Sequence, residues 1–326
     1  MEKRALICGI SGQDGSLLAK HLLLLGYAVW GSSRDAELNS FSNLRRLGIY
    51  DSVNLVSLNT RDIGSVLGLI KRIRPTEIFS LAGQSSVGLS FEQPIETMES
   101  IALATLNLLE GIRLSEMEIR FYNAGSTECF GDTGSGLAIE TSPFNPCSPY
   151  AVAKASAYWM VSNYRQAYNM FACTGILSNH ESGLRPQRFV TRKVIHAAAS
   201  LALGRTIKLS LGNLSVERDW GWAPEYVEAM ALMLQQEVAR DYIIATGKSY
   251  TLIEFVETAF RLAGSDWQDF VTIDESLMRP TDVLVNRIDP SRAKLELGWK
   301  SKYSMPDVVA MMFQDEVELL LKGGKV

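Results

Sequence analysis

Ala5-Leu6-Ile7-Cys8-Gly9-Ile10-Ser11-Gly12-Gln13-Asp14-Gly15 decides the fold, because it joins a short apolar run to a glycine-rich turn that opens a helical pattern. Ala5 to Cys8 read as a strand. Glycines at 9, 12 and 15 permit a tight turn and close backbone approach to a pyrophosphate, which rests on the positive N-terminal end of the next helix. Ser11, Gln13 and Asp14 lie within that turn and are candidate cofactor contacts with the glycines. Leu17, Leu18, Leu22 and Leu25 carry the helical pattern, and Gly26 ends it. Ala28 to Ser32 form a second strand, so strand, turn, helix and strand fit one unit of about thirty residues.

The residue after the second strand selects the dinucleotide: an acid binds a ribose 2′-hydroxyl, whereas an arginine accommodates a 2′-phosphate. Arg34 precedes Asp35, with Ser32 and Ser33 beside it. This favours NADP and leaves NAD open, the plain alternative being a solvated Arg-Asp pair on a loop.

Outward from this unit the alternation continues. Val53–Ser57 reads as a strand, Ile63–Ile73 as a helix and Glu77–Leu81 as a strand; a helix from about Thr97 to Leu114 and the strand Ile119–Ala124 follow. Ser148 and Pro149 suit the N-cap and first position of a helix reaching Tyr168, and Phe171–Leu177 is another strand. The predicted fold is α/β, a Rossmann-like doubly wound parallel sheet with a second, smaller substrate-binding lobe. Ligands of such sheets bind at the carboxyl ends of the strands, where the glycine turn, Ser85 and Ser126 to Glu128 all lie. Residues 1–178 form the dinucleotide-binding part, with a return at about 214–247, and 179–213 with 248–326 form the lobe.

Tyr150 and Lys154, four residues apart, project from one helix face. A free phenol titrates near ~10, so a tyrosine base at neutral pH needs a fall of about 3 units, which a neighbouring ammonium and a cationic nicotinamide could supply. If the strand before Ser126 continues extended, Ser126 and Glu128 point the same way and Thr127 oppositely, setting a hydroxyl and a carboxylate before one substrate. An isolated Tyr-x-x-x-Lys is equally a tyrosine packed on a lysine stem. Here the glycine turn supplies the context.

The chain has 326 residues and a net charge of −4, which carries no nucleic-acid footprint. Its four cysteines and three histidines show neither disulfide nor zinc spacing, so no metal site is expected. No secretory signal and no run of membrane-spanning length appear, and a cytoplasmic protein is expected.

In Gly9 to Ser16, Ser126-Thr127-Glu128, Pro146-Cys147-Ser148-Pro149-Tyr150 to Lys154, Asn179-His180-Glu181-Ser182, Phe189-Val190-Thr191-Arg192-Lys193, Arg218-Asp219-Trp220-Gly221 and Arg279-Pro280, the chain resembles the GDP-mannose 4,6-dehydratase family of extended short-chain dehydrogenases/reductases. The resemblance implies a nucleotide-sugar substrate, tightly held NADP and a homo-oligomer, dimer or tetramer. It puts Ser126, Glu128, Tyr150 and Lys154 on catalytic positions. Asn179, Lys193, Arg218 and Arg279, with Ser85, fall on substrate positions, and Arg34, Asn59, Leu81 and His180 fall along the cofactor. By residue chemistry alone, His180 and Glu181 read equally as a hydrogen-bonded structural pair, Arg218 and Asp219 as an internal ion pair, and Arg192-Lys193 as a solvated helix face. The implied reaction is C4 oxidation, loss of water across C5 and C6, and reduction at C6. A related GDP-sugar or a sugar-nucleotide 4-reductase or epimerase are the alternatives, as is a non-catalytic dinucleotide sensor; Glu128 discriminates, because only elimination needs that carboxylate. The chain departs from the family at Ser126, where threonine is usual, at Arg34-Asp35 in place of a basic pair, at Asn59-Thr60, and at Gly183-Leu184-Arg185-Pro186.

Overall fold

The computed structural model describes residues 2–323. Its strands, in chain order, are β1 (Arg4–Cys8), β2 (Ala28–Ser33), β3 (Asn54–Ser57), β4 (Glu77–Ser80), β5 (Arg120–Ala124), β6 (Ala172–Leu177), β7 (Asn179–Glu181), β8 (Leu209–Leu211), β9 (Glu217–Trp222), β10 (Tyr242–Ile244), β11 (Ser249–Thr251) and β12 (Val271–Ile273). Seven of them form one parallel sheet in the order β10-β6-β5-β4-β1-β2-β3. Chain direction across the sheet reverses between β1 and β4, which is where such sheets open a crevice.

Alternate residues of the inner strands feed two cores. Ala5, Ile7, Phe79 and Tyr122 pack on one face, and Leu6, Cys8, Ile78 and Phe121 on the other. Both faces are covered by helices, as the unbroken apolar runs require. The helix Gln13–Leu24 buries Leu18, Ala19 and Leu22, but it stops one residue before Leu25, which is exposed. Periodicity carried the expected pattern one step too far, because Gly26 at φ +81° turns the chain away there.

The helix expected from Thr97 to Leu114 is not uniform. Pro94–Met98 and Ala104–Ser115 are α-helical, and Glu99–Leu103 between them is a π turn. The widened turn receives the loop after β4. Gly83 sits there at φ +138°, where a Cβ would come within 2.9 Å of Ile101 Cγ1.

Beyond β6 the helices Val190–Ala202, Leu252–Leu262 and Met305–Gly323 gather a second core with β8, β9 and β12, including Val194, Leu211, Trp220, Phe255 and Met312. The helix Ala223–Leu234 and β10 return to the main sheet, where Met230 and Ile244 join its core. Ala293 and Trp299 also pack there. A small sheet, β11-β9-β7, carries Asn179 and Arg218.

Candidate active site

Gly9 and Gly15 are glycines for the protein's own sake. Gly9 adopts φ +91° against the Ala82 backbone, and a Cβ on Gly15 would lie 2.3 Å from the Gly9 carbonyl oxygen. Gly12 differs, since its Cβ would meet nothing closer than 3.5 Å. It caps the helix without a side-chain hydrogen bond, so the first-turn amides stay open to an approaching anion. These residues fit a dinucleotide pyrophosphate.

The turn is moored to β7. Gln13 donates to the His180 carbonyl (3.1 Å) and accepts from Ser182 Oγ (2.8 Å). His180 Nε2 lies 3.0 Å from Asp14 Oδ2, and its Nδ1 lies 2.7 Å from the Ser178 carbonyl, so a protonated ring donates from both nitrogens. Burial alone would raise Asp14, but the charge and hydrogen bond of His180 outweigh it and hold the carboxyl at about 2. Burial works against the charged imidazole too, yet Asp14 raises its pKa above the usual value. The ring also stacks on Tyr226 at 4.6 Å. His180 therefore bonds to Asp14 rather than to Glu181, whose carboxylate accepts from Thr191 (2.7 Å) beside Arg185.

Ser148 caps the helix Pro149–Tyr168 by accepting from the Ala151 amide (3.1 Å), with Pro149 in its first turn. That helix brings Tyr150 and Lys154 to the end of β5, where Lys154 Nζ donates to the Ala124 carbonyl at 2.6 Å. Burial lowers Lys154 to about 8. It also pushes Tyr150 well above a free phenol, with Ser126 pulling the other way through a hydrogen bond. Lys154 Nζ lies 5.8 Å from the Tyr150 ring centroid, and without the nicotinamide's charge desolvation dominates the phenol.

Ser126 and Glu128 do not lie on an extended continuation of β5. Residues Thr127–Phe130 form a 3₁₀ turn, because Ser126 Oγ accepts from the Glu128 amide (3.3 Å) and competes with extended pairing. The turn still delivers the Glu128 carboxylate to Arg218, whose Nε lies 3.2 Å away. Arg218 also approaches Asp282 (3.6 Å), and Asp282 lies 3.3 Å from Arg279. Asp219 is no partner of Arg218. It accepts from Ser178, Thr246, Gly247 and Lys248 instead.

Asn179 begins β7, Ser85 is exposed on the loop after β4, and Leu81 donates its amide to the Cys8 carbonyl beside the glycine turn. Asn59 is exposed and Arg34 largely so, while Asp35 accepts from the Glu37 and Leu38 amides. Lys193 faces a cavity of about 470 Å³ shared with Arg205 and Lys208, whose lining includes none of Ser126, Glu128, Tyr150 or Lys154. Sequence reading missed Asp282, Arg205 and Lys208. Asp282 had a signal, three residues beyond Arg279, whereas the two cations meet Lys193 only through the fold. Among the described residues no group of carboxylates, cysteines and histidines could hold a metal ion, and no helix is long and apolar enough to cross a membrane.

A glycine turn at the switch point, a Tyr-Lys pair at the end of β5 and a second lobe facing both define an extended short-chain dehydrogenase/reductase. Among solved structures, UDP-glucose 4-epimerase of Thermus thermophilus in complex with NAD is similar, at TM-score 0.84 and 25% identity over 97% of this chain and 99% of that one. Residues 6–312 match the GDP-mannose 4,6 dehydratase family, and the chain belongs to it. It is 44% identical to GDP-mannose 4,6 dehydratase 1 of Arabidopsis thaliana over 97% of this chain and 90% of that protein. With the GDP-mannose 4,6-dehydratase of Yersinia enterocolitica it shares 39% identity, covering 97% and 94%.

Proposed function

We propose that the protein dehydrates GDP-mannose to GDP-4-keto-6-deoxymannose with bound NADP. The observation that carries this reading is the Glu128 carboxylate, held against Arg218 on the same turn as Ser126 and near Tyr150. A reductase or epimerase needs the tyrosine and lysine but has no use for that carboxylate.

Bound NADP would supply a hydride acceptor for C4 and, once reduced, a hydride donor for C6, leaving no net redox change. Tyr150 accepts the C4 hydroxyl proton, and Ser126 hydrogen-bonds the C4 oxygen. Burial raises the Tyr150 phenol in the protein alone, and the positive charge of a bound oxidised nicotinamide would lower it. Glu128 then removes the C5 proton, acidified by the new ketone, and delivers it to the departing C6 hydroxyl; as C6 is reduced, C5 takes a solvent-exchanged proton, which balances the one that Tyr150 accepted and releases. Arg218 Nε, donating to Oε1 at 3.2 Å, positions Glu128 for that transfer.

Arg218 and Arg279, with Asn179, grip the diphosphate, and the cavity of Lys193, Arg205 and Lys208 receives the nucleotide end. The main sheet with its return thus serves the cofactor, and the second core serves the substrate. The molecule works as a homo-oligomer, supported by Ile95, Met98 and Leu103 on one helical run and Val152 and Trp159 on its neighbour, all exposed. Four free cysteines suit a reducing compartment, which we take to be the cytoplasm.

The test is turnover of GDP-mannose in heavy water. The product should lose one water, carry deuterium at C5 and bear at C6 the hydrogen from C4. Glu128→Gln should still oxidise C4 but dehydrate about 10²–10⁴-fold more slowly, leaving reduced cofactor visible by absorbance. Dehydration at the parent rate by this variant, or no water loss from any nucleotide sugar, would refute the reading.

A further inference from the structure

Arg34, Arg61, Glu96 and Glu99 form a charged strap over the glycine-turn half of the crevice. Arg34 follows β2 and Arg61 follows β3, whereas both glutamates belong to the helical run after β4. Since β1 lies between β2 and β4 in the sheet, these ion pairs reach across its carboxyl end. Arg61 Nη1 donates to Glu96 (2.8 Å) and to Glu99 (2.7 Å). The other Glu96 oxygen lies 3.4 Å from Arg34 Nη1.

Two cations and two anions leave no net charge. A 2′-phosphate needs cations free to meet it, and here each is already answered by a carboxylate. Asn59, whose Oδ1 accepts from the Arg61 amide (3.2 Å), adds an uncharged group to the same loop. The Arg34–Glu96 contact is long, and the Arg34 side chain is 75% exposed, so a phosphate can displace it.

We propose that Glu96 is a specificity-determining residue, competing with a ribose 2′-phosphate for Arg34 and Arg61 and so limiting the preference for NADP over NAD to a few-fold. The proposal rests on the dinucleotide reading given above, and the experiment separates the two. NADP and NAD are titrated separately into the full-length protein and its variants, and the dissociation constants are compared. Glu96→Gln should tighten NADP by about three- to fivefold, the range of one exposed ion pair, and move NAD by less than about twofold. Arg34→Ala should weaken NADP, and in the double variant the gain from Glu96→Gln should shrink to the share that Arg61 carries. If Glu96→Gln changes both dinucleotides equally, or neither, Glu96 does not set the preference. Gly12→Ala fits the fold but intrudes on the pyrophosphate path; if it weakens neither dinucleotide, the cofactor reading falls and takes the proposal with it.

Discussion

On the glycine-turn side of the crevice, backbones pack so closely that Gly9 and Gly15 admit no side chain, whereas on the opposite side Glu128, Arg218, Asp282 and Arg279 are held in line by charge. The first wall is set by steric contact and tolerates little change of shape. The second is set by electrostatics and depends on which groups are ionised and which partners are present. A site with one rigid and one polar wall can hold a reacting centre in place while charge on the bound sugar changes.

The comparison is tested most severely at Tyr150, which stands at the end of β5 beside Ser126 and Glu128 and faces the glycine-turn wall. Tyr150→Phe keeps the ring and its packing, so nucleotide-sugar binding should persist while C4 oxidation falls by about 10²–10⁴-fold, read in a single turnover as missing reduced-cofactor absorbance. Undiminished turnover would remove Tyr150 from the mechanism. A smaller effect is expected on the polar wall. Arg218→Lys keeps the charge but loses the planar fork that meets Glu128, Asp282 and the Glu217 carbonyl, so kcat/KM should drop about ten- to hundredfold. An unchanged kcat/KM would show that charge alone suffices there.

The smallest effect concerns the tether between the turn and β7. Asp14 titrates lower in the fold than in the unfolded chain, so its contribution is present above about 4 and is lost as pH falls toward about 2. His180 is raised, so its contribution is complete below its ordinary value of 6.5 and is lost as pH climbs through the raised one. Between those limits the parent should exceed His180→Gln in urea stability, and the gap should narrow by about 1 kcal/mol at alkaline pH. A gap that stays constant from pH 5 to pH 9 would mean the imidazole acts by packing on Tyr226 alone.

Legibility followed the same division. β1 and the helix Ile63–Ile73 could be read because their signals are local, an apolar run and an apolar stripe. The turn at Ser126 was misread because one side-chain oxygen accepting from an amide two residues on is invisible to periodicity. The residue types at Glu128 and Arg218 were recognisable, but their pairing was not, since it arises only when β9 is laid beside the end of β5. The lysine's hydrogen bond to the Ala124 carbonyl was hidden for the same reason.

The π turn at Glu99–Leu103 has a consequence in phase. A π turn takes more residues than an α turn, so it absorbs the rotation of about 100° that one extra residue would otherwise impose on the helix beyond it. Gly83 and its loop fix one side of that turn, and Leu108, Leu109 and Ile112 in the sheet's core fix the other. Exchanging side chains between 99 and 103 leaves the count intact. Deleting one residue there would instead close the run into an uninterrupted α-helix, with the stripe of Ala104–Ser115 still facing the core but no widened turn to receive Gly83, making the number of residues, more than their kind, the quantity this segment encodes.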